Sequence, residues 1–197
     1  MKIKALVLVM AVTWLNVVNA NDVYVEQAGS SSDITITQQG TGNEAGNNVD
    51  SLYIGSGSNT VAIDQIGDNN TLGMIVNGAS TDVTVTTTGS SNIQRIDCGT
   101  IVSSSCAGSV ITQVVTGDSN NITQDLGAGA NHTSNITVTG DTNTVTHTST
   151  ATGTTTMNAT ITGNLNTVGV TQSGMTTQNV TINSTGNSNT ITVNQSN

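Results

Sequence analysis

The chain has 197 residues, with 12 acidic side chains against three basic ones and a formal net charge of −9. A surface of that sign repels phosphates, so no nucleic-acid partner is expected. With 2% aromatic residues, no Phe and no Pro, the inventory of an ordinary globular core is missing too.

Residues 1–20 read as a secretory signal peptide. Lys2 and Lys4 supply a positive start, Ala5 to Leu15 an almost unbroken apolar run, and Val18-Asn19-Ala20 a cleavage site after Ala20. The run is shorter than the roughly 20 apolar residues that a membrane span needs. Without that segment Arg95 is the one basic residue left, and Tyr24 and Tyr53 the only aromatics. A secreted, extracellular or cell-surface location is the expectation.

From residue 21 onward the chain repeats arcs of about eleven residues, in which apolar residues alternate with Thr, Ser, Asn or Asp and a glycine follows. The first arc holds Asn21, Val23, Val25, Gln27 and Gly29, and the second Ser32, Ile34, Ile36, Gln38 and Gly40. An irregular stretch near 44–57 intervenes. The arcs resume at Asn59, Val61, Ile63, Gln65 and Gly67, and lose register again near 97–108. The last arc runs Asn189, Ile191, Val193, Gln195.

A G-x-x-N corner marks every second arc, at Gly40/Asn43, Gly67/Asn70, Gly89/Asn92, Gly117/Asn120, Gly140/Asn143, Gly163/Asn166 and Gly186/Asn189. Successive corner glycines lie 27, 22, 28, 23, 23 and 23 residues apart. A fixed period in the low twenties carried on strand alternation is the mark of a solenoid. The expected fold is therefore all-β: a two-sided β-solenoid (β-helix) of about seven rungs over residues 21–197, preceded by the signal peptide. Glycine and asparagine suit the corners because the chain must turn there through positive φ.

Such a core is thin, so stacked like side chains must help to hold it. Gln27, Gln38, Gln65, Gln172 and Gln195 point inward in this scheme and, with the corner asparagines, are expected to form amide ladders from rung to rung. Buried amides without partners would be costly. Cys98 and Cys106 bracket a Ser-rich loop, and in a secreted chain they are a candidate disulfide, the alternative being that both stay reduced.

No catalytic, metal or cofactor site is expected. His132 and His147 have no companions in sequence, and no G-x-S-x-G nucleophile motif occurs. His147 falls at an inward, Gln-like place and reads as a substitute in the ladder. Asp68, Asp118 and Asp141 follow their corner glycines, but one carboxylate per corner is far from the six to eight oxygens that Ca²⁺ takes.

At Ser32 to Ala45 the residues S-D-I-T-I-T-Q-Q-G-T-G-N-E-A resemble the curlin repeat, the unit of curli fibre subunits, with pattern S-x5-Q-x-G-x-G-N-x-A-x3-Q. Ser32, Gln38, Gly40, Gly42, Asn43 and Ala45 match, and Val49 stands in place of the closing Gln. Later units match in part, at Asn59, Gln65, Gly67 and Asn70, at Gly163, Asn166 and Gln172, and at Gly186, Asn189 and Gln195. The pair Cys98/Cys106 has no place in that pattern. The resemblance implies a secreted, non-enzymatic subunit that stacks end to end with itself into amyloid-like extracellular fibres for adhesion and biofilm matrix. It also implies a related nucleating subunit and outer-membrane export machinery as partners. Exposed strand edges at both ends would favour such stacking without any family argument.

Two other readings remain open. Outward T-x-T pairs at Thr35/Thr37, Thr84/Thr86, Thr137/Thr139, Thr144/Thr146, Thr160/Thr162 and Thr190/Thr192 are similar to the threonine ranks of ice-binding β-solenoids, although threonine suits any exposed sheet face. A structural segment of a larger appendage or particle, one that does not polymerise, is the third.

Overall fold

The computed structural model describes residues 20–26, 31–46, 52–53, 55, 58–76, 81–98, 110–127 and 133–197. Residues 1–19 of the expected signal peptide, Gln27 and Cys106 lie outside these residues, as does the side chain of Cys98, so the disulfide expectation falls outside them as well.

Every described element is a β-strand, and the strands form two sheets. Sheet I stacks Asp22–Val23, Glu44–Ala45, Thr71–Leu72, Ile93–Cys98, Asn121–Leu126, Thr144–Ser149, Thr167–Ser173 and Thr190–Ser196 in that order. Val25–Glu26, Leu52–Tyr53 and Ile75–Val76 extend its first three levels. Sheet II begins with Ser31–Gln39 and Ser58–Ile66, and ends with Thr155–Thr162 and Gln178–Thr185. Between these lie three levels of paired short strands: Asp82–Thr84 with Thr87–Thr88, Val110–Ile111 with Val115–Thr116, and Thr133–Ser134 with Thr137–Thr139.

The ladders are parallel and join each arc to its equivalent one period later, as in Thr167↔Thr190 and Gln178↔Thr155. That arrangement is a β-solenoid: the chain crosses from one sheet to the other at each corner and rises by ~4.8 Å per turn. The seven corner glycines form one column from Gly40 to Gly186, so six full turns lie between its first and last members.

The alternation of residues dictates what is inside. Gln178–Thr185 alternates strictly between buried and exposed positions, with Gln178, Val180, Ile182 and Ser184 inward. Among the described residues the apolar interior holds Ile, Val, Leu, Ala and Met with no aromatic ring, and it falls into two clusters. Their boundary runs obliquely, and polar residues mark it. Gln113 lies between Ile111 of the first cluster and Val115 of the second, and Gln124 between Ile122 of the second and Leu126 of the first; both glutamines are fully buried. Here sheet II is also interrupted, because Gln113 and Val114 have φ of 62° and 68°. For a β-branched residue such as Val114 that conformation is a genuine outlier.

Candidate functional site

The corners are where the sequence is most constrained. Each corner glycine, from Gly40 to Gly186, has φ between 114° and 119°, which a residue with a Cβ rarely adopts. A second reason is space: a Cβ on Gly40, Gly67, Gly89, Gly117, Gly140 or Gly163 would collide with the carbonyl oxygen of the glycine one rung further on. The third corner residue is left-handed as well. In the first corner it is Gly42 at 65°, and in the others Asn69, Ser91, Ser119, Thr142, Leu165 and Ser188 at 55° to 59°.

The corner asparagines form a continuous inner ladder. Asn70 donates both its backbone N–H and its Nδ2 to Oδ1 of Asn43, at 3.1 and 3.0 Å. Asn92 does the same to Asn70, Asn120 to Asn92, Asn143 to Asn120 and Asn166 to Asn143, at 2.9 to 3.1 Å. From Asn43 to Asn120, Nδ2 also reaches forward to the glycine carbonyl of the next rung, at 2.7 to 2.8 Å. Asn43, Asn70, Asn92, Asn120, Asn143 and Asn166 are all buried, so each amide answers the requirement that a buried polar group find partners.

A second, outer ladder runs in the opposite sense at the residue after each glycine. Oδ1 of Asp68 accepts from Thr41 N–H, Oδ1 of Asp118 from Ser90 N–H, and Oδ1 of Asp141 from Asp118 N–H, at 2.7 to 2.8 Å. Asn164 and Asn187 continue it at 2.8 Å. The backbone N–H of Thr41, joined by its hydroxyl, holds the Asp68 carboxyl below the usual carboxylate range. Among the described residues, no three His, Cys, Asp or Glu side chains are grouped so as to hold a metal ion.

The inward glutamines do not form one ladder. Gln38 donates to Gln65 at 2.8 Å on sheet II, whereas Gln172 donates to Gln195 at 3.1 Å on sheet I, several turns away. His147 joins the second pair: its Nε2 lies 2.9 Å from Oε1 of Gln172, and its Nδ1 lies 3.2 Å from the Ser134 hydroxyl across the interior. Since Oε1 can only accept, Nε2 carries the proton and Nδ1 accepts. In register His147 is level with Val170, and it is Ser149 that occupies the glutamine place opposite Gln172. Gln94 and Gln124 are buried glutamines at inward places where the arc pattern expects an aliphatic residue, Gln94 level with Ile122 and Gln124 level with Ile96. Gln94 binds Thr87 and Gln113, while both polar atoms of Gln124 are buried without a partner.

Among the described residues, no strand pairs with the outer edge at either end of the stack. Thr190–Ser196 pairs on one side only, with Thr167–Ser173, and leaves Ile191 and Val193 partly buried on the second cluster. Asn189 ends the inner ladder by donating its N–H to Asn166 at 2.9 Å, and no described residue donates to its Oδ1. A Cβ on Gly186 would meet nothing nearer than Asn189 Nδ2 at 3.5 Å, in contrast to the other corner glycines. At the opposite end Ser31–Gln39 pairs on one side only, with Ser58–Ile66. Proline, a covering helix or a bulge would blunt such edges, and none is among the described residues at either end.

Residues 19–40 match the family model described as the curlin associated repeat. The match covers the first strand pair of sheet I and the opening strand of sheet II. No curated protein and no solved structure matches the chain.

Proposed function

We propose that this curlin-repeat protein is a secreted structural subunit that stacks end to end with further copies into curli-like extracellular fibres, serving surface adhesion and biofilm matrix. Its partners are other copies of itself, with a related nucleating subunit and outer-membrane export machinery as further ones. No catalysis is part of this role. The observation that carries the reading is the pair of open ends. The upper one offers the unpaired edge of Thr190–Ser196, an acceptor at Asn189 and an unobstructed Gly186, which are the features that each internal rung uses to hold its neighbour. Unpaired parallel edges of this kind are templates for another chain.

The test is direct. Purified protein without its signal peptide should form filaments after a lag, and aligned filaments should diffract at ~4.8 Å along the axis and ~10 Å across it. A concentrated sample that stays monomeric for days, even when seeded, would contradict the proposal.

A second reading has one observation in its favour. Thr88, Thr116, Thr139, Thr162 and Thr185 are register partners in one unbroken outward column on sheet II. Next to it the rank Thr137, Thr160 is broken by Asn183. A flat threonine array could bind ice, and faceted crystals in a cooled droplet would favour that role.

A further inference from the structure

The sequence Asn21–Gln27, N-D-V-Y-V-E-Q, repeats the form of Asn189–Gln195, N-T-I-T-V-N-Q, with Asn, an aliphatic residue, Val and Gln at equivalent places. Asn21 also takes the acceptor's part of a corner asparagine, the part that Asn189 Oδ1 leaves open at the other end. Asn43 N–H donates to Oδ1 of Asn21 at 3.0 Å, just as Asn189 N–H donates to Oδ1 of Asn166 at 2.9 Å. Asn21 therefore fills the place below Asn43 that a corner asparagine fills on every other rung. Asp22 and Val23 pair with Glu44 and Ala45, Val25 and Glu26 with Leu52 and Tyr53, and Val23 packs against the first core cluster.

Among the described residues this arm has no counterpart on the opposite face. Sheet I has eight levels, from Asp22–Val23 to Thr190–Ser196, whereas sheet II has seven, from Ser31–Gln39 to Gln178–Thr185. If a second copy docked with its arm in place, each junction would lack one strand in sheet II, a gap of one ~4.8 Å spacing. Val180 and Ile182 below that gap, and Ile34 and Ile36 above it, would stay unpacked. If one sheet I segment leaves, both sheets become continuous. The corner at Gly40 to Asn43 then lands on the corner at Gly186 to Asn189.

We propose that residues 21–26 are an intramolecular stand-in for residues 189–194 of the preceding copy, and that the arm must be displaced by that strand at every junction. The proposal rests on the end-to-end stacking reading and adds a control step to it. The arm is the segment that yields because its hold is the weaker: four paired residues in two short pieces, against seven consecutive pairs between Thr190–Ser196 and Thr167–Ser173. While bound, it occupies the growing edge of the monomer, which keeps free subunits from joining until a matching edge competes for the site.

The test is a reversible lock. Asp22 and Glu44 are register partners on the outer face, at a strand spacing of ~4.8 Å that a disulfide spans. The double variant D22C/E44C, oxidised, ties the arm down. T171C/N194C ties down the C-terminal strand through another outward register pair and serves as the control. Each is added to preformed wild-type seeds, before and after a reductant, beside wild-type protein under the same conditions. The oxidised arm lock should elongate seeds at least tenfold more slowly than wild type, because one locked copy at a seed end blocks the next, and reduction should restore the rate. The C-terminal lock should elongate as wild type does. Wild-type elongation by the oxidised arm lock, or a block by the C-terminal lock alone, overturns the inference while leaving the fibre reading intact. If wild-type seeds and monomer do not elongate at all, the fibre reading fails and this one falls with it.

Discussion

Oδ1 of Asn120 accepts two hydrogen bonds from Asn143, from the backbone N–H at 2.9 Å and from Nδ2 at 3.0 Å. One atom thus fixes both the register of the next rung and the orientation of its side chain. The same two-bond relation recurs from Asn43 with Asn70 to Asn143 with Asn166, and the N–H bond alone continues it to Asn21 and Asn189, so the ladder transmits register along the stack.

Asn120→Ala should accordingly cost about 3 kcal/mol, the upper end of what an orphaned buried donor costs. It strips the acceptor from the Asn143 N–H and Nδ2, and takes the Nδ2 donor from the Gly140 carbonyl and from Asn92 Oδ1, which keeps only the backbone N–H of residue 120. Urea unfolding followed by circular dichroism measures it, and a loss below ~0.5 kcal/mol would mean that the ladder contributes little.

The corner glycines separate folding from assembly. Gly140→Ala places a methyl against the Gly163 carbonyl at φ 114° and should destabilise the monomer by ~3 kcal/mol or more. Gly186→Ala meets no further rung, so its monomer should lose only the ~1–2 kcal/mol of backbone strain, while its ability to extend seeds is abolished. Seeded growth at the wild-type rate would show that this edge does not receive another copy.

Thr142 holds φ of 59°, a left-handed conformation that a β-branched residue adopts at a cost. The first corner has Gly42 at the equivalent place. Thr142→Gly should raise stability by roughly 0.5–1 kcal/mol, the relief of strain less the greater entropy of glycine in the unfolded chain. Thermal denaturation of the two proteins side by side decides it.

Gln124 buries an amide with no partner at either polar atom. Gln124→Met keeps the length of the side chain and removes that burden, and should stabilise by about 1–2 kcal/mol. Chemical denaturation that showed a loss instead would point to a partner for Gln124.

Asp68 has a carboxyl held below its ordinary range by Thr41 N–H and hydroxyl donors. A lowered folded pKa gives stability that is present above the unfolded value and lost as pH falls through the folded one. Wild-type stability should thus drop over acid pH, from about pH 4 downward, more than that of Asp68→Asn. The asparagine keeps the contact, as Asn164 and Asn187 do in the same column. Parallel acid titrations of unfolding for the two proteins test the difference.

The solenoid was legible because its most constrained residues are also its most recognisable. Gly40, Gly67 and their successors need a bare Cα both for φ and for the carbonyl of the next rung, so few substitutions survive there and the period stays visible. The inner ladder was legible for the same reason, since no side chain but asparagine offers both its donor and its acceptor at that reach. What the residues concealed follows equally from physics. The third corner position is left-handed throughout, yet it holds Asn, Ser, Thr or Leu, because an exposed turn tolerates a small strain in many residue types. Gln94 and Gln124 face inward at places where the arc pattern expects aliphatic residues, and His147 sits one inward place away from the glutamine position that its chemistry suggested. The match between Asn21–Gln27 and Asn189–Gln195 was visible in the residues, but its meaning depends on sheet I having one level more than sheet II.

The most direct measurement of the central claim is mass per unit length of seeded filaments, by dark-field electron microscopy of unstained specimens. End-to-end stacking with the arm displaced gives each copy about seven rungs of axial rise, roughly 34 Å at ~4.8 Å per rung, so a single protofilament should carry one subunit mass in that distance. Thicker filaments should carry whole-number multiples of it. One subunit mass per ~4.8 Å, as from an extended chain lying across the fibre, or no filaments at all, would contradict the account.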